Sequence, residues 1–290
     1  MTASIARSRF RALLAGAQCV YPASVHDPLS ARLAEDIGYE VGMLGGSTAA
    51  LAVLGSPDLV LLTLTEFAEQ ASRICRATGM PVLADADHGY GNALNVRRTV
   101  EELERAGLAG ITLEDTELPA PFGTSEALRL HSIEEGVGKL RAAVDARSDA
   151  DFVILGRTSA LSVNGLEDTV QRVKAYAQTG VDAIFLVGVK TLEALEAVSA
   201  ACDLPLVLAG ATPPASRETL ARYRVRVCLQ GHHPVLAAIK GMHDVLRALR
   251  DGVAPGDLTG LAGSDLVKRV TREADYRAWG RAFLGRGDRD

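Results

Sequence analysis

Residues 82–92 read Val-Leu-Ala-Asp-Ala-Asp-His-Gly-Tyr-Gly-Asn, an apolar run that empties into two acids and two glycines. The stretch 80–84 has the composition of a β-strand, so it delivers Asp85 and Asp87 to the loop that follows. Alternate residues of a strand share a face, which points both carboxylates the same way, towards one hard cation such as Mg²⁺. Gly89 and Gly91 permit tight turns and close approach of a small ligand to the backbone. Asp and Gly after a strand are also ordinary turn chemistry, so the pair gains meaning only from its surroundings.

Those surroundings are regular. Strand-type runs at 17–21, 39–44, 80–84, 110–113, 151–155, 182–187, 205–208 and 225–229 alternate with helical patterns. The helices are expected near the N-terminus and at 28–37, 65–78, 95–106, 132–146, 166–179, 191–200, 216–223 and 234–250. Asp27 followed by Pro28 marks one helix start, Thr65 is expected to cap another, and Glu69 and Arg73 lie four apart on it. About eight strand-helix units favour an α/β fold with parallel strands and crossover helices, a closed (β/α)8 TIM-type barrel over an open sheet. The barrel is expected over 1–250 and a C-terminal helical extension over 251–290, with a helix at 265–283 and the only tryptophan, Trp279.

Composition narrows the class of function. With 48% hydrophobic and 23% charged residues the chain reads as a soluble globular protein. No apolar run approaches the about 20 residues of a membrane span. The basic start MTASIARSRFRALLAG is too interrupted by arginine for a secretory signal and is read as a helix. A net charge of −5 without a basic tract argues against nucleic acid as a partner. Cys19, Cys75, Cys202 and Cys228 lack a CxxC pattern, which suits reduced cysteines of a cytoplasmic protein and not a zinc cage.

On this map the polar residues gather at the C-terminal ends of strands. Gly45-Gly46-Ser47-Thr48, a small-residue loop able to meet an anion with backbone N–H groups, follows strand two. Asp85 and Asp87 follow strand three, Glu114 and Asp115 strand four, Arg157 strand five, and His232 and His233 strand eight. That end of a barrel is where its catalytic residues sit. Carboxylates suit Mg²⁺ or Mn²⁺, the Arg157 fork suits a carboxylate or phosphate, and a histidine can orient substrate or move a proton. The set describes a site for a small anionic substrate chelated to a divalent metal. Residues 116–131, TELPAPFGTSEALRLH, lack periodicity and are expected to form a lid.

The motifs LADADHGYGN, GITLED, LGSPD followed by TLTE, and ILGRT stand in an order and spacing that resembles the isocitrate lyase and phosphoenolpyruvate mutase superfamily, over about residues 10–250. The HHP after strand eight and the altered lid are most similar to its oxaloacetate-decarboxylating branch. The resemblance implies Asp85 as direct Mg²⁺ ligand, with Asp58, Asp87 and Glu114 holding metal-bound waters. It implies Ser47 and the Gly45-Gly46 backbone at the substrate carboxylate, Arg157 on substrate oxygens, and His233, preferred over His232, near the reacting end. It also implies a homotetramer with exchanged terminal helices.

The implied reaction is decarboxylation of oxaloacetate to pyruvate and CO₂ through a metal-stabilised enolate. The lid departs from the Lys-x-Cys-Gly-His type of the carbon–carbon lyases and the Lys-x-Asn-Ser type of the phosphonate enzymes, since it holds neither Cys nor Lys. Those branches remain the alternatives, as do a Schiff-base aldolase using Lys190 and a non-catalytic barrel that senses a keto acid. For His232 the competing reading is a cap on the last helix, and for Asp87 and Asp115 a solvated loop acid.

Overall fold

Alternation along each strand sorts the core into two layers. Met43, Leu83, Ala109, Val153, Leu155, Ala183, Phe185, Val207 and Val227 pack together on one side of the strands. Their neighbours Leu44, Val82, Ala84, Ile111, Ile154, Ile184 and Leu208 pack with helix residues such as Phe67, Val100, Leu140 and Val173 on the other. Side chains that alternate between two apolar environments are what a barrel wall requires.

The computed structural model describes residues 3–124, 127–210 and 212–285. Two residues of the expected lid, 125 and 126, the last five of the expected extension, 286–290, and residues 1–2 of the first helix lie outside these. The chain runs α1 (Ala3–Ala15), β1 (Ala23–Ser24), α2 (Pro28–Ile37), β2 (Gly42–Leu44), α3 (Gly46–Leu54), α4 (Leu64–Ala77), β3 (Val82–Asp85), α5 (Ala93–Arg105), β4 (Gly110–Glu114) and α6 (Ile133–Ala146). It continues with β5 (Val153–Thr158), a short α7 (Ala160–Val163), α8 (Leu166–Ala177), β6 (Ala183–Val187), α9 (Leu192–Ala200), β7 (Leu206–Ala209), α10 (Arg217–Arg222), β8 (Val225–Cys228), α11 (His233–Arg250), α12 (Ser264–Val270) and α13 (Glu273–Leu284).

All eight strands are parallel and lie in sequence order. The sheet closes on itself through a parallel bridge between Val20 and Val227, where the Val20 N–H donates to Arg226 at 2.9 Å and the Cys228 N–H to Val20 at 3.0 Å. The result is the expected (β/α)8 architecture. Phe10 and Leu14 of α1 join the inner layer, and Arg7 fixes that helix by donating to the Leu108 carbonyl at 3.0 Å and to Asp149 at 2.7 Å.

Local chemistry explains where elements begin. Asp27 accepts from the Ser30 N–H at 2.7 Å, so α2 starts where Pro28 is tolerated. The cap of helix α4 is Thr63, two residues before the expected Thr65, because Thr63 and Glu66 form a reciprocal capping box. Gly45-Gly46-Ser47-Thr48 is mostly helix, not loop: Gly45 caps α3 and the Thr48 hydroxyl donates to its carbonyl. The first strand is shorter and later than expected, with Val20 contributing only its bridge.

The chain divides into two compact units, Met1–His233 and Pro234–Asp290. In the second, the expected helix at 265–283 is broken into α12 and α13 at Thr271 and Arg272, the latter in the left-handed region at φ 59°. Along α11, Leu236, Ile239, Met242, Leu246 and Leu249 are exposed at helical spacing, as are Tyr276, Trp279 and Phe283 of α13.

Candidate active site

One step beyond the inner apolar layer, the same alternation carries polar residues. After Leu83 the next residue on that face is Asp85, and after Leu155 it is Arg157. On β4 the corresponding positions are Thr112 and Glu114. Strand register sets Asp85 beside Thr112 and Glu114 beside Arg157. The Thr112 hydroxyl donates to Asp85 Oδ1 at 2.9 Å, Arg157 Nη1 donates to Asp85 Oδ2, and Arg157 Nη2 lies 3.2 Å from Glu114 Oε2. The guanidinium carbon also stands 5.4 Å from the ring centre of Phe185.

Asp87 reaches the cluster by another route than the strand face expected for it. Strand β3 ends at Asp85, and Asp87 turns with φ 48°, tied down as its carbonyl accepts from the Glu114 N–H at 2.8 Å. Its carboxylate lies over Gly46, where a Cβ would come within 2.8 Å of Oδ1. Gly45 is constrained likewise, since a Cβ there would stand 2.6 Å from the His232 ring.

The two adjacent histidines part company. His232 is half-buried, with its Cε1–Nε2 edge against Gly45 and its Nδ1 2.8 Å from Ser24 Oγ, while His233 is exposed and begins α11. Geometry therefore favours His232, not the expected His233, as the residue beside the acids, and gives it Ser24 as a partner in place of a helix-capping role. Asp115 also leaves the set. It is buried, accepts from Arg172 Nη1 at 2.9 Å and from the Tyr176 hydroxyl at 2.7 Å, and so is not a solvated loop acid. Lys190 is exposed.

Titration shifts report how tightly the acids are grouped. Burial, then Asp85, Glu114 and Asp58, push Asp87 well above the usual carboxylate range. Burial raises Glu114, with Arg157 opposing and Asp85 reinforcing. Asp58, after α3 at the exposed rim, is raised by partial burial and then by Asp85. Burial works against the Arg157 charge, and Asp85 and Glu114 outweigh it, so the guanidinium is held more firmly than usual. Burial lowers His232, against the pull of Asp85 and Asp58.

Four carboxylates thus face one guanidinium. No three donors converge into a preformed cage among the described residues, which suits a cation held directly by few protein atoms. Asp85 keeps lone pairs beyond the two it gives to Thr112 and Arg157. The excess of buried oxygen donors and negative charge fits a hard divalent ion.

The long loop after β4 is pinned at its base, where Thr116 bridges Leu130 and the Glu117 N–H donates to Arg129 at 2.8 Å, and Phe122 near its tip is fully exposed. Beside it a cavity of about 360 Å³ is lined by Val60, His88, Tyr90, Arg98 and Pro119, among others. Sequence reading missed Ser24, Thr112 and Tyr90. Thr112 was findable from alternation on β4; Ser24, in a two-residue strand, carries no periodic signal.

The model of the family described as phosphoenolpyruvate phosphomutase matches residues 10–250. A protein of Bradyrhizobium diazoefficiens named oxaloacetate decarboxylase is 55% identical over 280 residues, covering 96% of this chain and 97% of its own. Among solved structures, phosphoenolpyruvate phosphomutase from Streptomyces platensis subsp. rosaceus superposes with a TM-score of 0.86 at 29% identity, over 96% of this chain and 99% of that one. Phosphonopyruvate hydrolase in complex with oxalate and Mg²⁺ does so with 0.85 at 30% identity, over 98% and 100%. With a match over most of its length and the acid, arginine and histidine set at one end of a closed barrel, the chain belongs to the phosphoenolpyruvate phosphomutase family.

Proposed function

We propose that this protein is a carboxy-lyase that decarboxylates oxaloacetate to pyruvate and CO₂ with a divalent metal, Mg²⁺ or Mn²⁺. The observation that carries the reading is the whole-length likeness to the Bradyrhizobium oxaloacetate decarboxylase. The inward layer of Asp85, Glu114 and Arg157 supplies chemistry that such a reaction needs.

Asp85 would hold the cation directly, and Asp58, Asp87 and Glu114 would hold its waters. When bound, the cation acts as a Lewis acid that draws electron density from the 2-oxo acid. Arg157 binds substrate oxygens through its fork, and the backbone at Gly45 and Gly46 with Ser47 receives the carboxylate next to the keto group. The C3–C4 bond breaks, its electron pair passes into the enolate of pyruvate, and C3 then takes a proton. With the Ser24 hydroxyl donating to Nδ1 of His232, 2.8 Å away, Nε2 would keep its own hydrogen and serve as a donor towards the reacting end. His233 takes no part in this version of the site.

The loop 116–131 contains neither Cys nor Lys. A decarboxylase requires no proton donor for its leaving group, whereas the carbon–carbon and P–C lyase readings lose theirs. The exposed Lys190 gives an aldolase no desolvated amine. We further propose a cytoplasmic homotetramer with exchanged C-terminal helices. Free cysteines at 19, 75, 202 and 228 and the exposed apolar stripe on α11 support this. Sedimentation of the purified protein tests the assembly.

The decisive assay follows pyruvate release from oxaloacetate with Mg²⁺ and with excess EDTA, against the spontaneous metal-catalysed background. Turnover above background that vanishes with EDTA and in Asp85→Ala is expected. Full turnover in either case would sink the proposal.

A further inference from the structure

Between β4, β5, α6 and α8 a small space of about 10 Å³ is bounded by Glu114, Asp115, Lys139, Arg157 and Tyr176, together with Leu113, Gly136 and Leu140. That is room for about one water molecule. Three polar atoms of these residues, Lys139 Nζ, Asp115 Oδ1 and Arg157 Nε, are buried and make no hydrogen bond within the protein. Lys139 is 3% exposed, so its ammonium has no bulk water to turn to. An unpaired buried ammonium is among the most costly groups a core can hold, and three residues with unpaired buried atoms meet at one water-sized space.

We infer that Lys139 is a positioning residue of the acid site: one water in this space joins its ammonium to Asp115 and Arg157, and its charge offsets the acid cluster from behind. The inference rests on reading that cluster as a site for a divalent cation and an anionic substrate. Four carboxylates against Arg157 alone would hold a cation tightly and repel a dicarboxylate. A second fixed positive charge on the far side of β4 and β5 moderates both effects without occupying space in the site. Arg172 does not serve here, since it is committed to Asp115, Asp168 and the His131 carbonyl. Burial lowers the Lys139 pKa, and Glu135, Glu114 and Asp115 oppose that fall and favour the charged form.

The consequence has opposite signs for the two ligands, which a loss of packing cannot imitate. The test measures Mn²⁺ binding without substrate, from the electron paramagnetic resonance signal of free Mn²⁺, together with the KM for oxaloacetate. In Lys139→Met the Mn²⁺ dissociation constant should fall, and the KM rise, each by about three- to tenfold, as expected for one charge acting across a partly screened interior. Lys139→Gln, also neutral but able to hydrogen-bond, should shift both in the same directions, and it carries the comparison if the Met variant does not fold. Mn²⁺ affinity that is unchanged or weaker in these variants overturns the inference while leaving the site reading intact. Failure of the unaltered protein to bind Mn²⁺ removes the site reading and the inference together.

Discussion

Ser24 Oγ stands 2.8 Å from Nδ1 of His232, a contact between residues 208 positions apart in the chain. The contact engages Nδ1 and leaves the Nε2 edge of the ring towards Gly45. Ser24→Ala should lower kcat/KM about tenfold, the usual scale of a group that orients a proton donor. Thermal melts should move little, and Ser24→Thr should recover most of the activity. Full activity in the Ala variant would show that the ring needs no such partner.

Adjacent histidines make a direct comparison. His232→Asn should cost at least about a hundredfold in kcat if Nε2 takes part in proton transfer, within the range for general acid–base groups. His233→Asn, altering an exposed side chain, should stay within about twofold of the unaltered protein. Gly45→Ala should resemble the His232 variant, because the new methyl would enter the ring's place. Steady-state kinetics on the three proteins decide the matter, and a reversed order would return the role to His233.

Asp115, Arg172 and Tyr176 form a buried network behind Glu114 and Arg157. Asp115→Asn leaves Arg172, 5% exposed at its side chain, with Asp168 as its remaining carboxylate partner. Urea unfolding should show a loss of about 2–3 kcal/mol, the scale for a buried hydrogen bond to a charged group. Tyr176→Phe removes only a hydroxyl and should cost about 1–2 kcal/mol. A catalytic role for Asp115 would instead show as lost turnover at unchanged stability.

Acid should expose the contribution of Asp149. Its hydrogen bond from Arg7, then that from the Asp151 N–H, hold its pKa below the ordinary 3.8. A carboxylate depressed in the folded state stabilises above its unfolded pKa, and that contribution is lost as pH falls through the folded value. Asp149→Asn should therefore be less stable than the unaltered protein near pH 7, with the gap closing below about pH 4. A gap of constant size down to pH 3 would show that the ion pair contributes nothing.

Much of this could be read before any coordinates, for a definite reason. Strand-helix rhythm and period-two alternation are local properties, so the eight units and the placement of Asp85, Glu114 and Arg157 at strand ends follow from short stretches of chain. Where regular structure stops, the period stops with it. Asp87 lies two residues past Asp85, yet it joins the cluster through a left-handed turn and not a shared strand face. Between His232 and His233 no periodicity operates, and only the approach of Gly45 and Ser24 separates them. Lys139 reads in sequence as a helix residue like any other. Its burial depends on β4, β5 and α8, which come together only in the fold.

The closure between Val20 and Val227 has a consequence for the order of events during synthesis. Ser24 lies just after one side of that seam and His232 just after the other. Every other strand contact can form as the chain lengthens, since each strand pairs with the one before it. The seam cannot, for its second half is the last strand to leave the ribosome. The Ser24–His232 pair is therefore the final part of the candidate site to form, and a chain stopped short of β8 would carry the acids and Arg157 without His232.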